Sequence, residues 1–179
     1  MKKTAGTMFV LLALACRPLF SQPAIEKQSR EAYSRNCIYF ELLGTGLLYS
    51  INYEHRFAEH WSGRVGFTAY SIPGFLLFEP AISMDFLGFP VLLNYLAGSN
   101  GHYFEIGAGV LVLNLSLNGR EIWSGMDVNG QLTTVSGAAA IGYRYQPTNG
   151  GFLFRIGLTP WFHHGGSKIL GGLSLGVAF

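Results

Sequence analysis

Ile169-Leu-Gly-Gly-Leu-Ser-Leu-Gly-Val-Ala-Phe179 closes the chain. Leu173, Leu175, Val177 and Phe179 alternate with the small residues Gly172, Ser174, Gly176 and Ala178, and a period of two belongs to a β-strand. One face of this strand is large and apolar; the other is small. A soluble strand buries its bulky face and wets the opposite one, but here the small face leaves room only for a crowded, narrow interior. The large face is therefore expected to meet lipid, the pattern of a transmembrane β-barrel strand.

Composition extends that reading to the whole chain. Charged residues are 12% of the sequence, about half the ~25% typical of soluble domains, so too few remain to solvate an ordinary surface. Beyond the first residues no run of apolar side chains is long enough for a spanning helix. A backbone in a bilayer must satisfy its own hydrogen bonds, and without helices the closed barrel is the remaining solution.

Lys2 and Lys3 precede an apolar run from Met8 to Ala15, followed by the short stretch Phe20-Ser-Gln22. This predicts a secretory signal peptide over 1–21, cleaved near Ser21. The run is about half of the ~20 residues a membrane-spanning helix needs. Cys16 leaves lipidation as an alternative, although Ala13-Leu14-Ala15 sets the leucine one place from where a lipidation motif wants it. Residues 22–36 carry Glu26, Lys27, Arg30, Glu31 and Arg35 and read as a polar periplasmic lead-in, with the barrel over 37–179.

The chain holds 12 Lys and Arg against 10 Asp and Glu; the leader takes Lys2, Lys3 and Arg17, leaving 9 against 10 and a net charge of −1. No basic patch supports a nucleic-acid partner. Cys37 is the one cysteine past the leader, which excludes an intrachain disulfide and offers no cysteine-based metal site. A half-buried thiol is expected there, and no metal or cofactor.

Apolar alternation recurs over 38–43, 47–57, 63–72, 87–97, 102–117, 132–145, 152–163 and 169–179, which predicts eight antiparallel strands. Three connections, 58–61, 98–101 and 146–151, are short, and the last two carry Asn-Gly or Pro turn signals. They alternate with longer ones at 73–86, 118–131 and 164–168. Barrels of this kind have short periplasmic turns, long outer loops and an even strand count. An even count requires 44–46 to be a very tight first outer loop; a continuous strand over 38–57 is the alternative and makes the count odd. On the outward parity, Tyr53, Phe57, Tyr95, Tyr143, Tyr145, Phe152 and Phe179 fall at the periplasmic end, where an aromatic girdle belongs.

The opposite parity carries Glu41, Glu54, Arg64, Glu105, Arg144 and Arg155, three acids and three bases facing the lumen. At ~3.3 Å per residue, all but Glu41 lie at similar heights near the periplasmic rim. A barrel of ~8 strands has room for side chains and little else, and unpaired charges in it are prohibitively costly. An ion-pair belt that plugs the lower half is predicted, with Asn52 and Asn94 as hydrogen-bond partners. Gly66, Gly107, Gly109, Ala138, Ala140, Gly142 and Gly157 share that face and leave space for the arginines. A gated pore or proton path is the functional alternative to such packing.

A catalytic reading centres on His163, His164 and Ser167 at the outer rim, with Glu79 and Asp85 as acids. A base-activated serine there would attack a lipid acyl ester. The spacing His-His-Gly-Gly-Ser matches no triad motif, and adjacent histidines on a strand end point to opposite faces, which argues against chelation by both. A solvated loop is the reading taken, and His55, His60 and His102 are read as interfacial residues near the turns. The 73–86 connection is unusually apolar, so it either folds over the mouth, extends the wall or forms a sticky surface; 118–131, with Trp123 and Met126, is the second half of such a surface.

Phe40-Glu-Leu-Leu-Gly44, Tyr49-Ser-Ile-Asn-Tyr-Glu54, Gly142-Tyr-Arg-Tyr-Gln-Pro147 and Phe154-Arg-Ile-Gly-Leu-Thr-Pro160, with the terminal Phe179, resemble small outer-membrane β-barrel proteins of the OmpA/OmpX type. The resemblance covers nearly all of the mature chain and is architectural. It implies an eight-stranded meander in the cell outer membrane and a C-terminal strand, Leu173, Leu175, Val177 and Phe179, read by the barrel assembly machinery. It carries over no catalytic residue, and the very short first loop departs from the long loops of that group. The expectation is a monomer among outer-membrane lipid, with a charge-plugged lumen and a structural or surface-interaction role. A lipid A-modifying enzyme, a small channel and a soluble lipocalin-like barrel are the alternatives.

Overall fold

The computed structural model describes residues 34–73, 82–120, 127–163 and 165–179. The expected signal peptide, Cys16, most of 22–36, Glu79, Trp123, Met126 and His164 lie outside the described residues.

Eight strands follow in chain order: β1 Asn36–Leu43, β2 Tyr49–Arg56, β3 Trp61–Ile72, β4 Ile82–Ser99, β5 His102–Arg120, β6 Asp127–Tyr145, β7 Gly151–His163 and β8 Gly166–Ala178. Each pairs antiparallel with the next, and β8 returns to β1, so the sheet closes as a meander. A 3-10 turn, Gly44–Gly46, separates β1 from β2 and makes the count eight. The continuous strand over 38–57 does not form.

The ladder is staggered. From Ile38 it passes through Tyr53, Val65, Val91, Val110, Gly137 and Phe162 to Ser167. Extending the register that sets Val177 against Ile38 carries Ser167 to position 48, ten residues above the start. Such a shear tilts strands by roughly 35–45° and leaves an interior that side chains can fill.

The two faces separate as their parity requires. Neighbouring Leu92 and Leu93 are 3% and 49% exposed. Ile38, Phe40, Val65, Phe67, Phe104, Ile156, Leu175 and Val177 are exposed on the outside, while Glu41, Glu54, Arg64, Glu105, Arg144 and Arg155 are buried within. A lipocalin-like barrel would carry the reverse. Two prolines sit in the wall where the ladder has a gap. Pro90 lies where β3 and β4 break off between Val65–Val91 and Thr68–Gly88, and Pro160 where β6 and β7 break off between Ala138–Trp161 and Ile141–Leu158, as residues without an N–H donor must.

At the end of the barrel that carries the short turns Trp61 meets Tyr95 edge-on at 5.1 Å, and His102 Nδ1 lies 2.6 Å from the Tyr143 hydroxyl. The end of the expected lead-in is tied to this rim. Ser34 N–H donates to the Thr148 carbonyl at 2.7 Å, and Asn36 and Phe179 exchange backbone hydrogen bonds of 2.9 and 2.8 Å.

Three of the expected outer connections are shorter than read. Residues 82–86 belong to β4, 118–120 to β5, 127–131 to β6 and 166–168 to β8. Of the readings offered for 73–86, its described part extends the wall. No side chain described in these segments is buried, so no apolar-out alternation is enforced. The wall is consequently uneven: β1 and β2 have 8 residues each, β5 and β6 have 19.

Candidate functional site

The six charges of the lumen form an unbroken alternating chain. Arg64 pairs with Glu41; Glu41 lies 3.6 Å from Arg155; Arg155 pairs with Glu105. Glu105 lies 3.3 Å from Arg144, which ends the chain on Glu54 at 2.5 Å. All six are buried, on six strands: β1, β2, β3, β5, β6 and β7. Charges this enclosed persist only when paired and hydrogen-bonded, and three acids cancel three bases.

Further groups complete the set. Ser62 donates to Glu54 at 2.5 Å, Ser50 to Glu41 at 3.2 Å, and Arg155 to the Ser174 hydroxyl at 3.3 Å. Arg144 Nη2 lies 3.1 Å from Cys37 Sγ, so the thiol is a fully buried neighbour of the chain and not the half-buried one expected. Arg64 Nε donates to Asn52 at 3.0 Å, as sequence parity anticipates. Asn94 does not do this: it is buried, and among the described residues neither of its side-chain polar atoms has a hydrogen-bond partner.

Tyr39 lies at the centre and was not singled out by the sequence. Its ring stands beneath Arg64 at 5.4 Å and Arg155 at 4.9 Å, and its hydroxyl donates to Glu54 at 2.9 Å. The legible signal was its parity, since it lies two residues from Glu41 on one strand. A further lumenal arginine, Arg56, lies at the end that carries the short turns, donating to the Glu59 carbonyl at 2.8 Å and stacking on Tyr103.

The lid of the network is the first turn, which folds inward. Gly44, Thr45 and Gly46 are all buried. Thr45 donates its hydroxyl to Glu41 at 2.7 Å and accepts from Arg64 at 2.5 Å. Gly44 has φ of +71°, and a Cβ there would stand 2.8 Å from the Glu41 carboxyl. Leu43 and Leu47, flanking the turn, hold φ of 58° and 68°, a region costly for any side chain.

Beside the chain a cavity of about 20 Å³ is lined by Glu41, Glu105, Arg155, Thr159 and Ser174. It has room for one water and for no larger solute, since a water takes roughly 10–15 Å³.

The outer-rim residues do not converge. On β7 the inward parity of Arg155 falls also on His163, whose ring lies 5.4 Å from Trp161; on β8 the outward parity of Leu175 falls on Ser167. Base and nucleophile thus stand on opposite faces. Asp85 accepts from Asn118 at 2.9 Å. Among the described residues no group of three His, Cys, Asp or Glu is arranged to hold a metal.

No family model and no curated protein matches the chain. Among solved structures, the N-terminal β-barrel domain of Pseudomonas aeruginosa OprF is similar with a TM-score of 0.56 at 14% identity, over 82% of this chain and 98% of that one. The fold is that of a small outer-membrane β-barrel. Neisserial surface protein A aligns with a TM-score of 0.48 at 15% identity, over 80% of this chain and 92% of its own. Ail, the attachment invasion locus protein of Yersinia pestis, aligns with 0.46 at 14%, over 80% and 93%. In an outer-membrane barrel the exposed leucines and phenylalanines of the exterior are solvated by acyl chains, and the charge chain is what fills the bore.

Proposed function

We propose that the chain is a non-catalytic outer-membrane barrel whose lumen is sealed by ion pairing and whose raised outer wall is a surface for interaction. The unbroken sequence Arg64, Glu41, Arg155, Glu105, Arg144, Glu54 carries the first half, because it links buried side chains from six of the eight strands across the bore. The tall side of the barrel supports the second. Strands β5 and β6 stay paired up to Arg120 and Asp127, whereas β6 and β7 part at Gly137 and Phe162. Residues 127–136 therefore present a strand edge that no described strand covers, a surface open to pairing.

The monomeric state, delivery by a signal peptide over 1–21 and recognition of Leu173, Leu175, Val177 and Phe179 by the assembly machinery belong to the same proposal. The opposed faces of His163 and Ser167 support the absence of lipid A modification.

Planar-bilayer recording tests the seal. The purified barrel is expected to give no discrete conductance, and resolved single-channel steps would overturn it. Ser167→Ala and His163→Ala are expected to leave lipid A unchanged by mass spectrometry; an acyl group retained or lost relative to the wild-type strain in either variant would instead establish an enzyme.

A further inference from the structure

The outward side chains of β3 to β6 change character part-way along each strand. Phe89, Val112 and Val135 are directly opposed in one transverse row of the ladder, and the Phe67 ring lies 5.5 Å from that of Phe89. All four are apolar. In the next outward row Ala69, Leu87, Asn114 and Thr133 are opposed, and the row beyond, Ser71, Asp85, Ser116 and Gln131, is wholly polar. These polar groups bond to one another: Asn114 donates to Thr133 at 3.0 Å and Asn118 to Asp85 at 2.9 Å. On the lumenal parity the order reverses, for Tyr70, Phe86, Leu115 and Leu132 are directly opposed there and the first two rings stack at 4.7 Å.

The limit of the apolar exterior does not follow a row. Its last outward members among the described residues are Ala69 on β3 and Leu87 on β4, then Val112 on β5 and Val135 on β6, one row lower. Phe162 on β7 belongs to the row of Val110 and Gly137, lower again, and Ile169 on β8 stands opposite Pro160, one row below that. From β4 to β8 the limit thus drops three rows of two residues each. The stagger of the ladder lifts a row by about five residues over the same half-turn of the barrel. Drop and lift nearly cancel, so the limit is a plane across the barrel axis. The apolar spans beneath it, Leu87 to Tyr95, Phe104 to Val112, Val135 to Tyr143 and Ile169 to Val177, are equal in length. Each rises roughly 20 Å at ~3.3 Å per residue and a tilt of ~35–45°, close to the ~25 Å apolar band of outer-membrane barrels.

We propose that the outer hydrocarbon boundary of the bilayer crosses the barrel in this plane, through Ala69, Leu87, Val112, Val135, Phe162 and Ile169. The β3–β6 wall above it stands in water as a sheet of soluble type, polar outside and apolar within. Acyl chains offer Asp85, Ser116 and Gln131 no hydrogen bonds, and burying such groups among them is costly; water solvates all three. The boundary holds whether or not the raised wall binds a partner.

NMR on the refolded protein in a dimyristoylphosphatidylcholine nanodisc tests it, through broadening of backbone amide signals by a water-soluble gadolinium chelate and by a lipid with a nitroxide midway along its acyl chain. Chelate broadening is expected to be equal at Ala69, Leu87, Val112, Val135 and Ile169. Along the single row from Ala69 through Leu87 and Asn114 to Thr133 it is expected to rise several-fold, because the stagger sets the two ends roughly 9 Å apart in height. The lipid label is expected to broaden Val110 and Val91 and to spare Asn129 and Gln131. Equal chelate broadening along the row, or lipid broadening at Asn129 and Gln131 as strong as at Val110, would overturn the proposal.

Discussion

Arg144 on β6 and Glu54 on β2 meet at 2.5 Å in the lumen, four strands apart whichever way the barrel is followed. The pair is a cross-brace between opposite walls, and both partners are buried. Its value lies less in attraction, which desolvation largely offsets, than in the penalty for leaving either charge alone.

Glu54→Ala leaves Arg144 with only its longer 3.3 Å contact to Glu105 and frees the Tyr39 and Ser62 hydroxyls. Loss of one partner of a buried pair costs about 3–5 kcal/mol, so urea unfolding followed by heat-modifiable mobility is expected to shift to clearly lower denaturant. The double variant Glu54→Met with Arg144→Met is expected to be more stable than Glu54→Ala, because neither charge is left behind. Additive losses in Glu54→Met, Arg144→Met and the double variant would contradict the brace.

Tyr39→Phe keeps the ring under Arg64 and Arg155 and removes only the hydrogen bond to Glu54. The expected loss is about 1.5–3 kcal/mol, the worth of a hydrogen bond to a charged group. Tyr39→Ala is expected to cost more, since both guanidinium groups lose the surface they lie on. Equal unfolding midpoints for the two variants would show that the ring contributes nothing.

Much of this was legible from alternation alone, and the reason is physical. Lipid on one side and a narrow bore on the other impose a period of two, so Leu173, Leu175 and Val177 announce β8, and the parity of Glu41 through Arg155 places the charges within. Where neither face is buried the constraint lapses: 82–86, 118–120 and 127–131 are strand, yet the apolar-out pattern fades. Parity also assigns a face without assigning neighbours. Asn52 finds Arg64, whereas Asn94, equally inward, has no partner among the described residues. The inward fold of Thr45 depends on positive φ at Leu43 and Leu47, residues that give no sign of a left-handed backbone.

Leu47→Gly tests that turn. With φ of 68° and ψ of −74°, Leu47 bears strain of roughly 1–3 kcal/mol, which outweighs the ~0.5–1 kcal/mol entropic cost of glycine. The variant is expected to unfold at higher urea than the wild type. A lower midpoint would mean that the leucine side chain contributes more than its backbone costs.

Phe179→Ser separates assembly from stability. The side chain is 58% exposed, while its backbone bonds to Asn36 survive the substitution. The purified, refolded variant is expected to unfold close to wild type, but its membrane-inserted amount in cells is expected to fall several-fold. Undiminished insertion would remove the C-terminal strand as the assembly signal.

The account rests on which face meets lipid, and Leu92 and Leu93 report it side by side. Nuclear Overhauser contacts between lipid acyl protons and leucine methyls, measured in a phospholipid nanodisc, are expected at Leu93 and Leu175 and absent at Leu92 and Leu153. Contacts at Leu92 and Leu153 with none at Leu93 would contradict the inside-out barrel, and the lumenal charge chain with it.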